Sequence, residues 1–304
     1  MASFAMKVIR GAFGIAEHVA PRLTGRAAFE LFCRTANPKA MSEGERRALL
    51  QAERFMAGAR RHRLTTRTGV VAAFDFRPEP GSPTFGTVLV IHGWRSRTEH
   101  MKPVVEAFRS AGYRVIALDL PGHGHSQGRR LNMVNAVDSV RVAGEWFGPF
   151  EAVVGHSFGG AVALNAVVGS VAGVQPLAAS RLVLIAAPSS MPVLFEEFGR
   201  FLNLGPCSQI AVAAQVERLS GHPLEDFVGA RQLAAIRVPT LVIHAPDDRE
   251  VPPDHARMLE AAGDHVRVHW ARGLGHRRII ADPGVLDEAT AFVAKRAAQP
   301  VLVH

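Results

Sequence analysis

Ala152-Val153-Val154-Gly155-His156-Ser157-Phe158-Gly159-Gly160 decides how the rest of the chain is read. An apolar, β-branched run enters a Gly-x-Ser-x-Gly turn, and Ala161-Val162-Ala163-Leu164 continues it as a helix. A serine raised on so sharp a strand-to-helix turn needs neighbours without side chains two residues to either side, where backbones approach. Gly155 and Gly159 meet that need. The turn lifts the hydroxyl clear of a sheet and aims amide N–H groups at whatever oxygen it attacks. The alternative is a tight strand-to-helix turn with no nucleophile. The stretch 152–180 has no Asp, Glu, Lys or Arg, but its three early glycines, Asn165, Ser170 and Gln175-Pro176 suit a buried strand, turn and helix better than a membrane span.

Around this segment the pattern alternates. Short apolar runs at 62–66, 70–76, 87–92, 114–119, 152–155, 181–186, 240–244 and 266–270 read as strands, the first two as a hairpin. Amphipathic runs at 101–111, 134–147, 158–171, 253–262 and 283–298 read as helices between them. Runs such as Val88-Leu89-Val90-Ile91 are apolar throughout, as strands covered on both faces are, so the expected class is α/β with a largely parallel sheet. About fifty residues separate the strands ending near 186 and starting near 240, whereas a crossover needs a dozen or more. An insertion at about 188–235 is implied. Its Met191, Leu194, Phe195, Phe198, Phe201, Leu202 and Leu204 suit either the lining of a pocket or packing onto the body.

A serine hydroxyl needs a base, and the base needs a group to hold its tautomer. His276, in Gly273-Leu274-Gly275-His276-Arg277 after the last strand, is the candidate base. Of Asp247 and Asp248, which follow the strand at 240–244, Asp248 has the favoured offset for the acid, and Asp247 is expected to cap or stay solvated. Ser157, Asp248 and His276 then run in Ser…Asp…His order at strand ends. An acyl-transfer site also needs oxyanion donors, worth about 3–4 kcal/mol each in the transition state. The amides of Trp94, in the turn His92-Gly93-Trp94, and of Phe158 are the two candidates. Asp119-Leu120-Pro121-Gly122-His123-Gly124-His125-Ser126 reads as loop geometry beside the site.

Taken together, these motifs over roughly residues 62–298 resemble the α/β-hydrolase family, in its serine esterase and lysophospholipase-like branch. The resemblance implies an eight-stranded sheet flanked by helices and a helical cap after the sixth strand. It also implies ester hydrolysis through an acyl-enzyme, with no metal or organic cofactor. Ala245 stands where the family often has glycine before its acid, and the basic N-terminal extension has no counterpart in the common core. The same triad would serve a thioesterase, a small-peptide hydrolase, a perhydrolase or a carbon–carbon bond hydrolase. A non-catalytic binding module on this fold is the reading from another class.

The composition sets the bounds. With 304 residues, 48% hydrophobic and 20% charged, the chain is neither disordered nor fibrous, and it is long enough to bury a large core. Only Cys33 and Cys207 are present, without metal or disulfide spacing. The net charge of +8 lies wholly in residues 1–67, with 13 basic and 5 acidic residues; the remainder is balanced. With 7% aromatic residues and no nucleic-acid motif, this charge belongs to a helical extension at 1–61 and does not point to a nucleic-acid binder. Ser42-x-x-Glu45 is a capping box within it. Counting about 100° per residue from Phe4, Val8, Ile9, Ala12, Phe13, Ile15, Ala16, Val19 and Ala20 fall within a wide apolar sector, and Lys7, Arg10, Gly11, Gly14, Glu17 and His18 fall opposite. Residues 1–20 are therefore the candidate for peripheral membrane contact, with packing onto the body as the alternative. No secretory signal pattern is read, so a cytoplasmic location is expected. The expected partner is a small-molecule ester; the oligomeric state stays open, and 299–304 is expected to be a tail.

Overall fold

A computed structural model describes residues 4–36, 41–78, 81 and 84–295; the expected tail at 299–304 lies outside them. Eight strands form one sheet: β1 (Arg60–Thr66), β2 (Gly69–Phe76), β3 (Thr87–Ile91), β4 (Arg114–Leu118), β5 (Ala152–His156), β6 (Leu182–Ile185), β7 (Thr240–His244) and β8 (Val266–Trp270). Their order is β1-β2-β4-β3-β5-β6-β7-β8. β2 runs antiparallel to both neighbours, and every pairing from β4 to β8 is parallel. Edge strand β1 carries exposed Arg60, Arg61 and Arg63, charges that discourage pairing with another chain.

Alternation along the inner strands supplies two cores, because successive side chains leave opposite faces. Leu89, Ile91, Ile116, Leu118, Val153, Leu182, Leu184 and Val242 enter one core. Val88, Val90, Val115, Ala117, Val154, Val183, Ile185, Leu241 and Ile243 enter the other. The second is covered by α3 (Glu43–Ala57), α4 (Lys102–Ser110) and α12 (Pro283–Ala294), through residues such as Phe55, Val104, Phe108, Val285 and Ala289. Phe55 stacks on Phe76 with ring centroids 4.7 Å apart. Ser42 caps α3 as its spacing predicts: Glu45 N–H donates to Ser42 Oγ at 3.2 Å, and Ser42 N–H donates to Glu45 Oε2 at 2.7 Å.

The first core is covered by α5 (Met133–Phe147), α6 (Phe158–Val168) and a roof of helices that bears on the site. The roof joins the insertion between β6 and β7, namely α7 (Met191–Leu202), α8 (Pro206–Ser220) and α9 (Gly229–Ala234), to two helices of the extension, α1 (Phe4–Val19) and α2 (Pro21–Cys33). α2 packs on α8 closely enough that a side chain at Gly25 would press on the Ser208 carbonyl and come within 2.7 Å of Ala211 Cβ. Ser208 Oγ donates to the Pro21 carbonyl at 2.8 Å. Phe29, Phe32, Phe195 and Phe198 form an aromatic cluster between α2 and α7.

The extension is thus built into the roof. Arg10, placed on the polar side of the wheel, lies over the Phe201 ring at 5.3 Å and donates to Asn203 Oδ1 at 3.4 Å. The insertion does both things its apolar residues allowed: Met191, Phe195, Leu202 and Leu204 are buried, and Leu194, Phe198 and Phe201 line a cavity. Element ends differ by a few residues from the pattern. The helix expected over 158–171 stops at Val168 because Gly169, at φ 77°, turns the chain left-handed. The helix expected over 283–298 ends at Ala294, with 296–298 outside the described residues. Among the described residues, no helix is long and apolar enough to cross a membrane.

Candidate active site

Ser157 sits between β5 and α6 at φ 55° and ψ −128°, a strained conformation for a residue with a Cβ. The surrounding contacts leave it little choice. A Cβ on Gly155 would press on the Gly159 carbonyl and one on Gly159 on the Ile91 and His92 carbonyls, so both must be glycine. Ser157 N–H donates to the Ile185 carbonyl at 2.9 Å, tying the turn to the end of β6.

His276, in the short helix α11 (Gly275–Arg278), brings Nε2 to 3.0 Å from Ser157 Oγ. Its Nδ1 lies 2.7 Å from Asp248 Oδ2, so the ring donates to Asp248 from Nδ1 and presents a lone pair to the serine hydroxyl. The other Asp248 oxygen accepts from the amides of Glu250 at 2.8 Å and Val251 at 2.9 Å. Burial raises the Asp248 pKa, but the bonds from His276, Val251 and Glu250 outweigh it and leave the group below the usual carboxylate range. Asp247 stays exposed and accepts from the Gly273 amide at 3.0 Å, bracing the loop that carries His276. His156 supports the same loop by donating Nε2–H to the His276 carbonyl at 2.9 Å; burial lowers its pKa to about 4, so the ring is neutral.

On the other side of Ser157 lies the turn after β3. A side chain at Gly93 would come within 2.8 Å of Ser157 Cβ, which places the His92-Gly93-Trp94 turn against that serine. Two neutral imidazoles hold it. His92 donates Nδ1–H to the Gly93 carbonyl at 2.7 Å and accepts at Nε2 from Leu120 N–H at 2.9 Å; burial drives its pKa down to about 3. His123 accepts at Nε2 from the Arg95 amide at 3.1 Å and donates Nδ1–H to the Pro121 carbonyl at 3.1 Å. Trp94, between these anchors, meets Phe158 edge to face at 5.4 Å. Asp119 fixes the far end, accepting from Thr98 N–H and Oγ–H and from His125 N–H, each at 2.8 Å. Residues 119–126 therefore serve as the clamp of the turn, a role the motif hinted at only as loop geometry. Ligand atoms of Glu99, Asp119 and His125 lie within 4.8 Å of one another, but Arg97 occupies both Glu99 oxygens, at 2.9 and 2.8 Å.

Ser157, Phe158, Trp94 and His276 open onto a cavity of about 410 Å³. Its roof is Phe32, Leu194, Phe198 and Phe201, with Met6 from α1 and Leu31 from α2. Behind Phe32 and Phe158 is a smaller apolar recess of about 30 Å³ among Phe29, Cys33, Met133, Phe195 and Leu219. Cys33 is inert there, its thiol pushed up to about 12 by burial. Sequence reasoning missed the contribution of α1 and α2, and it missed His255, which also lines the cavity.

The model of the family described as "Alpha/beta hydrolase family" matches residues 88–294, which span the elbow, both strand-end loops and the insertion. The chain belongs to the alpha/beta hydrolase family. It is a hydrolase enzyme by that membership. A monoacylglycerol lipase of Mycolicibacterium smegmatis is 25% identical over 252 residues, covering 70% of this hydrolase and 90% of that protein. Among solved structures, the naproxen esterase of Bacillus subtilis superposes with TM-score 0.57 at 15% identity, covering 83% of this chain and 98% of its own. A bacterial membrane phospholipase A superposes with TM-score 0.58 at 19% identity, covering 81% and 89%. At those identities the two structures speak for the fold alone.

Proposed function

We propose that this α/β-hydrolase is a serine esterase that cleaves carboxylic esters with an apolar acyl chain, with Ser157, His276 and Asp248 as its triad. The observation that carries the reading is the unbroken contact from Ser157 Oγ through His276 to Asp248, at 3.0 and 2.7 Å, at the floor of a mostly apolar cavity. His276 takes the Ser157 proton as Oγ attacks the acyl carbon, and Asp248 stabilises the imidazolium. The amides of Trp94 and Phe158 receive the oxyanion. The tetrahedral intermediate collapses, the alcohol leaves with the proton from His276, and water, deprotonated by His276, releases the acid. The aromatic roof and the recess behind Phe32 support an acyl substrate, in keeping with the monoacylglycerol lipase relative.

A fluorophosphonate probe tests the chemistry: wild type labels and Ser157→Ala does not. Equal labelling of the two proteins would overturn the triad and leave the non-catalytic reading. A p-nitrophenyl ester series tests the acyl side, with rates expected to peak at medium or long chains; a sharp optimum at acetate would refute the apolar pocket. Matched ester, thioester and amide substrates separate the esterase from a thioesterase or small-peptide hydrolase.

For the extension, we propose contact with an anionic membrane surface. The apolar sector of α1 is too wide for one contact. Ile9 and Phe13 pack inward, while Val8, Ile15, Val19 and, on α2, Leu23 remain 55%, 72%, 81% and 63% exposed. Exposed Lys7, Arg22 and Arg26 accompany them, and Met6 reaches the cavity. Such a mixed face suits an interface with acidic lipid. Wild type is expected to co-sediment with phosphatidylglycerol vesicles and Val8→Asp/Ile15→Asp to stay in solution; equal partitioning would refute the contact.

A further inference from the structure

The cavity holds a second imidazole for which ester hydrolysis has no use so far. His255 lies at the start of α10 (Asp254–Glu260), is only 7% exposed and lines the cavity together with Ser157 and His276. Its Nδ1 is engaged by Ser189: the amide donates to it at 3.1 Å and Oγ lies at 2.9 Å. An amide N–H can only donate, so Nδ1 is the unprotonated nitrogen and the neutral ring carries its hydrogen on Nε2. Among the described residues no protein group accepts from Nε2, and that atom is not among the buried polar atoms left without a partner. It opens on the cavity as an unused donor.

The position of His276 decides which half of an ester meets this donor. β3 and β4 lie on one side of β5, and β6, β7 and β8 lie on the other. The proposed oxyanion turn follows β3, and the apolar recess lies between Met133, at the start of α5 after β4, and insertion residues such as Phe195 and Leu219. His276 arrives after β8. Because His276 must hand its proton to the departing alcohol, the alcohol lies on its side of the cavity. His255, between β7 and β8, is on that side, and so is Pro252. Glu197, from α7, lines the same cavity and is the carboxylate with the strongest electrostatic influence on the His255 ring.

We propose that His255 is a specificity-determining residue that donates Nε2–H to a hydroxyl oxygen on the alcohol portion of the ester, with the Glu197 carboxylate accepting that hydroxyl's hydrogen. A hydroxyl is both acceptor and donor, and this wall offers one of each. The substrate class is a monoacyl ester of a hydroxylated alcohol, a polyol being the simplest member. An alkyl group in that place would leave a buried donor without its water. The assignment rests on the esterase reading above and extends it to the alcohol side.

The test is the ratio of kcat/KM for 1-monooctanoylglycerol over propyl octanoate, which share an acyl chain and differ in hydroxyl groups. Wild type is expected to favour the glycerol ester by about tenfold or more. His255→Asn keeps an oxygen for the Ser189 amide but withdraws the donor from the cavity, and its ratio is expected to fall below about twofold. Glu197→Gln, at an exposed position, is expected to lower the ratio by about threefold or more. A wild-type ratio near one overturns the proposal, and so does a ratio that survives His255→Asn, whatever the absolute rates. If His255→Asn fails to label with fluorophosphonate, Glu197→Gln decides, and an unchanged ratio there overturns the hydroxyl subsite. Failure of the esterase reading looks different: wild type would neither label nor cleave either ester.

Discussion

The floor and the roof of the candidate active-site cavity are held in different ways. The floor is backbone against backbone: Gly155 and Gly159 press on carbonyls, Ser157 is forced to φ 55°, and the His92 and His123 rings pin the amides and carbonyls of the neighbouring turn. The roof is mainly side chain against side chain, with four phenylalanines between α2 and α7 and one backbone contact, Gly25 on the Ser208 carbonyl, between α2 and α8. Backbone contacts admit no repacking, so the floor can hold reacting groups to fractions of an ångström. Side-chain contacts tolerate exchange of similar volumes, so the roof can change what the cavity admits without disturbing the chemistry. The proposed division puts position in the floor and acyl selectivity in the roof.

That division can be broken by substitution. The largest effect is expected in the floor, where Ser157→Ala should lower kcat by about 10⁴-fold or more in a steady-state ester assay. Gly159→Ala comes next: its methyl would strike two backbone carbonyls, and both fluorophosphonate labelling and folding yield are expected to fall sharply. The same change in the roof, Gly25→Ala, should part α2 from α8 and lower the melting temperature while the protein still labels; loss of labelling would show that the roof also positions the triad. Smaller again is Phe32→Ala, expected to cut the rate ratio of long over short acyl esters by about fivefold, near 1 kcal/mol for a lost aromatic contact.

A separate test, of stability and not of rate, uses pH. His92 and His156 have folded pKa values of about 3 and about 4, below the ordinary 6.5. A depressed folded value means that the unfolded chain takes up the proton first, so stability is complete above about pH 6.5 and drains away toward those values. Each imidazole contributes about 1.4 kcal/mol per pH unit over that window. Melting temperature should therefore fall steadily from pH 7 to pH 4, and His156→Gln should flatten the curve. A flat curve in wild type would mean that the clamp rings are not held neutral.

Legibility in the sequence followed the same division. Strands β7 and β8 appear at their full extent, and the other six within a few residues, because a parallel sheet covered on both faces writes continuous apolar runs. Ser157, Asp248 and His276 were legible because each sits at a strand end in a local pattern of small or acidic residues, and the structure brings the three into contact. His255 was not legible. One of fourteen histidines, it gains its meaning from the Ser189 amide, 66 residues away. The Phe32 contacts with Phe195 and Phe198 span more than 160 positions and leave no local trace. Nor does the wheel of α1 tell which half of its apolar sector packs on a neighbour.

By itself, then, the sequence determined the class of sheet, the elbow and the order of the candidate triad, since these depend on short-range backbone requirements that glycine spacing and strand patterning express directly. The tertiary structure alone decided that α1 and α2 of the basic extension are part of the roof, that residues 119–126 clamp the His92-Gly93-Trp94 turn, and that the His255 ring lines the cavity beside Ser157 and His276. Those features arise from contacts between distant segments, which burial and hydrogen-bond satisfaction select only once the whole chain has folded.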